Sequence, residues 1–180
     1  MYIDFNLRFP IDQLADFADL YNQKNKYRDQ ESSIVNELGP KARTNGYLTK
    51  KDFLEICCWK STRPKKWAEQ NSEEFIKEIS TIALSAHSEK IHIGILTLLQ
   101  GVLYPTASAI LHIVHKKPYP ILDFRALWSL GLDKLPYDYT YKFWINYTTT
   151  CRELAKFSGL SMRTVDRALW QYSADNQPKK

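Results

Sequence analysis

Within "LLQGVLYPTASAILHIVHKKPYPILDFRALW", residues 98 to 128, a tight Gly101-Val102 turn joins two apolar segments. A basic, proline-rich loop follows, and then a single aspartate, Asp123, stands in an otherwise apolar run. Two kinds of chemistry are on offer. A tight turn between packed helices leaves backbone N–H groups pointing outward, near the positive N-terminal end of the second helix. A phosphate, or a cation bridging to one, satisfies such donors without reading sequence. Gly101 supplies the dihedral freedom, and the small Ala107 lets the helices approach. Asp123 stands where an N-cap belongs, ahead of "FRALWSLG". It is either that cap alone or a working carboxylate.

Helix, Gly-Val turn, helix and a following acid resemble the helix-hairpin-helix DNA glycosylase superfamily. Its members share the run Leu-x-Gly-Val-Gly-x-Lys-x-Ala, with a catalytic aspartate after a short loop. Leu99, Gly101, Val102, Thr106, Ala107 and Asp123 fall on that pattern, and Asp123 lies 18 residues past Pro105, close to the family's separation. Leu103 replaces the second turn glycine, which either distorts the hairpin or makes it more apolar where it meets DNA. Pro105 replaces the lysine that serves bifunctional members as a Schiff-base nucleophile, so a lyase step by that residue is excluded. The resemblance therefore implies a monofunctional enzyme. It covers residues from about 49 to 173 as an all-α arrangement, and its residue-level support lies between 96 and 131.

The family uses a hairpin phosphate clamp, a base pocket between helical subdomains, and no obligatory redox cofactor; we expect no cofactor and no metal here. Breaking an N-glycosidic bond builds positive charge on the sugar. The carboxylate of Asp123 would stabilise that oxocarbenium-like state and orient or deprotonate the attacking water. The target base must first be flipped from the stack. Trp59 and Lys60, at the end of a helix beside a basic turn, are candidates for stacking on that base and contacting it or a phosphate. Lys60 could also act as a displaced amine nucleophile; a core tryptophan with a solvated lysine is the plain alternative. Tyr119, rigid between Pro118 and Pro120, is a third pocket candidate. Gly101, Leu103, Tyr104, Thr106, Lys116, Arg125 and Arg163 are the expected DNA contacts.

The expected function is thus excision of a damaged or modified base from double-stranded DNA, including a hypermodified base of foreign DNA. The alternative is a non-catalytic DNA-binding protein that grips with the hairpin and a C-terminal helix-turn-helix. In "RELAKFSGLSMRTVDRALWQY", Ala155, Gly159 and Val165 resemble the small, turn and core residues of such a motif. Ser161 to Thr164 would then open the recognition helix, with Arg163 the DNA contact. Leu160, Val165, Leu169 and Trp170 equally suit a terminal helix docked on the core. His112 and His115, three apart on one helix, invite a metal, but no further ligands accompany them. Structural or phosphate-facing roles are expected for both.

The elements that must carry these residues are helical nearly throughout. A chain of 180 residues, 44% hydrophobic, can build a real core, and its net charge of +5 suits a polyanion. Ile11, Leu14, Ala18 and Tyr21 form one stripe. A second helix runs through "YRDQESSIVNEL" and is expected to stop at Gly39-Pro40. Thr49 caps a third, and Asn71 with Glu74 forms a capping box for a fifth. A helix over 88–100 leads into the hairpin, Pro105 restarts one to about His115, and "ADNQPKK" reads as a frayed tail. The fold class is all-α, a glycosylase-like domain of about ten helices. Three segments are drawn: 1–48, N-terminal helices packing on the core; 49–135, the hairpin core with Asp123; and 136–180, C-terminal helices folding back. Three cysteines without a Cys-x-x-Cys pair read as buried thiols. No signal peptide or membrane span is apparent, so a cytoplasmic, soluble monomer is expected.

Overall fold

Short polar residues open five of the helices. In the computed structural model, which describes residues 5–26, 28–134 and 139–178, the side chains of Thr49, Ser72, Asp123, Thr140 and Ser161 each accept a hydrogen bond from a first-turn amide. They open α4 (Lys50–Lys60), α6 (Glu73–Ser85), α9 (Phe124–Ser129), α10 (Tyr141–Ser158) and α11 (Met162–Asn176). The remaining segments are α1 (Leu14–Lys24), α2 (Arg28–Ser33), α3 (Gly39–Asn45), α5 (Lys65–Ala68), α7 (Glu89–Leu96) and α8 (Tyr104–Val114). A π turn, Ile34–Leu38, joins α2 to α3, so the described residues form ten helices and no strand. None of these helices is long and apolar enough to cross a membrane. The expected boundary at 135/136 and the last two residues of the "ADNQPKK" stretch lie outside the described residues.

Three local expectations need correction. The helix expected to stop at Gly39-Pro40 continues to Asn45. A proline lacks the amide for the i−4 bond and crowds that carbonyl. The π turn absorbs both problems, because the amide of Gly39 reaches back five residues to the carbonyl of Ile34. The cap of α6 is Ser72, not Asn71, whose buried amide is engaged elsewhere. The "frayed tail" is helical through Asn176, because Asp175 pairs with Lys24 at 2.9 Å and accepts from Gln171.

Two compact units emerge: a continuous middle, Tyr27–Tyr119, and a unit built from both chain ends, Met1–Lys26 with Pro120–Lys180. The division differs from the three segments drawn along the sequence, and it puts the hairpin and Asp123 in different units. In the middle unit α8 is apolar all round, with eight of its eleven residues buried, so it is the helix the others surround. The π turn, α3, α4 and α7 pack against it. Gly39 makes one of these contacts possible, since a Cβ there would stand 2.6 Å from the carbonyl oxygen of Ile113. That same carbonyl, in the last turn of α8, accepts from the Arg43 guanidinium at 2.7 Å.

In the unit of the chain ends, α11 is central, packed by α1, α9 and α10. Phe9, Phe17 and Tyr172 form an aromatic knot, with ring centroids 4.4–5.1 Å apart. The N-terminal segment is tied to the end of α9. The amides of Asn6 and Arg8 donate to the carbonyls of Leu130 and Ser129, and the Arg8 guanidinium lies over Trp128.

Candidate functional site

The hairpin of the middle unit begins earlier than its sequence suggests. α7 ends at Leu96, and residues 97–99 tighten into successive i→i−3 bonds. The amide of Val102 then donates to the carbonyl of Leu99. Gly101 has φ of 78°, a left-handed conformation that L side chains resist. A Cβ there would also stand 2.8 Å from the Ala68 amide nitrogen and 3.0 Å from the Pro64 carbonyl oxygen. The turn is thus wedged against α5, from its N-cap Pro64 to its last residue Ala68. Asn71 completes the hold: its side-chain amide donates to the carbonyls of Ala68 and Gln100 and accepts from the Gln100 amide, at 2.9–3.0 Å. The sequence reading assigned Asn71 to a cap and missed this role. Its only sequence signal is an asparagine just ahead of a stronger cap residue, which is too generic to find it.

Beyond the turn, Leu103 is 74% exposed at the N-cap of α8, and no side chain caps that helix end. Tyr104 is half-buried, while Thr106 is buried, so the first turn of α8 offers Thr106 by its backbone and not by an open hydroxyl. Lys116 is exposed in the following loop. Trp59 and Lys60 are half-buried at the end of α4. Tyr119 is fully buried, with its hydroxyl donating to Glu89 at 3.2 Å and its ring beside His92 and His115. A side chain so enclosed packs the core instead of offering an open face to a base. His112 meets the carbonyl of Tyr119 at 2.6 Å, and His115 accepts from the Lys117 amide at 3.0 Å through the same kind of ring nitrogen, Nδ1. Both imidazoles fold the 115–119 loop; among the described residues no three His, Cys, Asp or Glu side chains are grouped to hold a metal. Burial first, then the neighbouring His92 and Lys117, lower the His115 pKa to about 4.

In the unit of the chain ends, Asp123 is half-buried with extended backbone, and its Oδ1 accepts from the Arg125 amide at 3.0 Å. It is therefore the N-cap that its position suggested. The backbone leading to it is fixed from both sides. The Ile121 amide donates to the buried carboxylate of Asp166 at 3.1 Å, and the Ile121 carbonyl accepts from the buried Tyr147 hydroxyl at 2.8 Å. Burial, then the adjacent Cys151 and Asp166, push the Tyr147 phenol well above its ordinary value, so it stays a donor. Half-buried Tyr139 is likewise raised, first by burial and then by the charge of Asp123. Asp166 and Tyr147 carry no local motif, because each acts on a segment far away in sequence. They were missed for that reason.

Arg125 stacks over the rings of Phe124 and Trp170 at 5.2 and 4.9 Å. Arg163 is half-buried in the first turn of α11, where Met162 is buried and Ser161 and Thr164 hydrogen-bond to each other. With Val165, Asp166, Ala168 and Leu169 also buried, α11 has the burial of a docked terminal helix. The described cysteines are free thiols, Cys57 and Cys151 buried and Cys58 half-buried. No family model, curated protein or solved structure matches this chain, so the site rests on its own residues.

Proposed function

We propose that the protein is a monofunctional DNA glycosylase that removes a damaged or modified base, with Asp123 as its catalytic carboxylate. The observation that carries the reading is the treatment of Asp123. A capping aspartate needs only its own helix, yet here two buried side chains from α10 and α11 grip the backbone that presents it. Holding a carboxylate in one place is what electrostatic stabilisation of a developing sugar cation requires. The hairpin supports the same reading: a left-handed Gly101, an uncapped α8 N-terminus and an exposed Leu103 suit a backbone clamp on phosphate. The resemblance to the helix-hairpin-helix glycosylases supplies the order of hairpin and acid.

In the proposed reaction the bond between the sugar C1′ and the base nitrogen breaks, and the base leaves with the electron pair. Asp123 stabilises the cation and takes the proton of the water whose oxygen bonds to C1′. The cap bond from Arg125 occupies one carboxylate oxygen, Oδ1. We place this activity in the cytoplasm; free thiols suit its reducing conditions. The test is incubation with duplexes carrying a panel of damaged and hypermodified bases, followed by alkali. Breaks at one modified base after alkali support a monofunctional enzyme. Breaks without alkali contradict it and make Lys60 the first residue to replace. No breaks on any duplex, with binding that weakens steeply with salt, favour the non-catalytic DNA-binding protein.

A further inference from the structure

Beside Asp123, the unit of the chain ends carries a run of alternating rings and guanidinium groups. Phe124 and Trp170 flank Arg125, Trp170 meets Tyr21 edge-on at 5.5 Å, and Arg167 lies 5.7 Å from the Tyr21 ring centroid. Three elements contribute: α9, α11 and α1. Phe124 is 43% and Trp170 37% exposed, large rings left at the surface although the same unit buries Phe143, Trp144 and Tyr147. Arg125 forms no ion pair with any described residue; rings are its company. A guanidinium stacked on a ring keeps its in-plane N–H donors available, and Arg is the residue suited to phosphate.

Two requirements on a partner follow. Part-exposed rings offer flat π surface for stacking, and a guanidinium that no described residue pairs with, on a chain of net charge +5, suits an anion. A duplex hides its base faces in the stack and shows only edges and phosphates. Unpaired nucleotides show both face and phosphate. We infer that Phe124, Arg125 and Trp170 form a platform that binds unpaired nucleotides, adjacent in the chain to the proposed catalytic acid. The inference rests on the nucleic-acid reading above for its class of partner, and adds a preference for single strands that excision does not require.

The test is fluorescence anisotropy with a labelled, unmodified single-stranded oligonucleotide and with its duplex, circular dichroism confirming helix content in each variant. Trp170→Ala is expected to weaken single-strand binding about tenfold, while Trp170→Phe, which keeps a ring, stays within about threefold of the parent. Arg125→Gln is expected to reduce the salt dependence of that binding by about one charge. In Trp170→Ala the duplex affinity is expected to change much less. Single-strand affinity unmoved in both Trp170→Ala and Arg125→Gln overturns the platform and leaves the surface to a protein partner. Equal weakening on single strand and duplex overturns it too. Excision is scored in a separate reaction, so a protein that cleaves but ignores these substitutions loses only the platform. One that holds single strands but excises nothing loses only the glycosylase reading.

Discussion

At Gly101 two constraints act on one residue. Its φ of 78° costs an L side chain about 1–2 kcal/mol, and the Ala68 nitrogen 2.8 Å from the missing Cβ adds an overpacking cost of about 1–3 kcal/mol. Gly46 separates the two, because it has φ of 76° with nothing within 4 Å of its missing Cβ. Gly101→Ala is therefore expected to destabilise the protein by about 2–5 kcal/mol, and Gly46→Ala by only about 1–2. Paired denaturant titrations check this; equal losses would mean that the wedge against α5 contributes nothing. Gly101→Ala should also weaken duplex binding, since it displaces the turn that presents the amides of α8, whereas Gly46→Ala should not. Gly101 was legible in the sequence because a Gly-Val turn between apolar segments is a local signal. Asn71 was not, because its partner, Gln100, lies 29 residues away and nothing nearby marks the pair.

Among the elements, α9 shows most clearly how the fold serves the site. A helix of six residues holds itself poorly in place. Here its start is gripped through Ile121, and its end is tied by Ser129, whose hydroxyl donates to the carbonyl of Leu169 in α11. Tyr147→Phe tests the first grip without changing the ring. It leaves a buried carbonyl unsatisfied, at a cost of about 1–3 kcal/mol. On the proposed reading it also lets the segment before Asp123 shift, and a small misplacement of a reacting group costs about ten- to a hundredfold in rate. We expect kcat to fall that far with KM little changed; a kcat equal to the parent's would remove Tyr147 from the positioning of Asp123. The helices themselves followed from apolar spacing and cap residues, so most were legible. Exceptions arose where a longer-range partner overrode the local signal. Pro40 should have ended a helix, but a π turn and the contact of Gly39 with α8 carry it through. Asp175 should have frayed, but Lys24 of α1 holds it.

Over the whole molecule, the first helix joins the last three in one unit while the stretch between forms another. No periodicity reports that pairing: the stripe of Leu14 and Ala18 says that α1 is buried on one side, not that α11 covers it. The two-unit division was for that reason invisible in the sequence, although the all-α class was plain. Stability of the whole also carries a pH signature from the loop at the end of the middle unit. His115 has a folded pKa of about 4, below the ordinary imidazole value of about 6.5. The folded state therefore binds fewer protons than the unfolded state between those values, and stability falls as pH drops from about 6.5 towards 4. Carboxylates titrate in part of that window, so the parent is compared with His115→Gln. The variant is expected to lose less Tm over this range; parallel Tm profiles would show that burial of His115 does not couple to folding.

Asp123→Asn puts the central claim to the most direct measurement. Asparagine still offers an oxygen to the Arg125 amide, so the cap survives, but the negative charge is gone. On the duplex that the parent cleaves after alkali, single-turnover excision and Tm are measured for both proteins. A catalytic carboxylate predicts excision slower by roughly 10²–10³-fold with Tm nearly unchanged. Excision at the parental rate would make Asp123 a helix cap only and contradict the account.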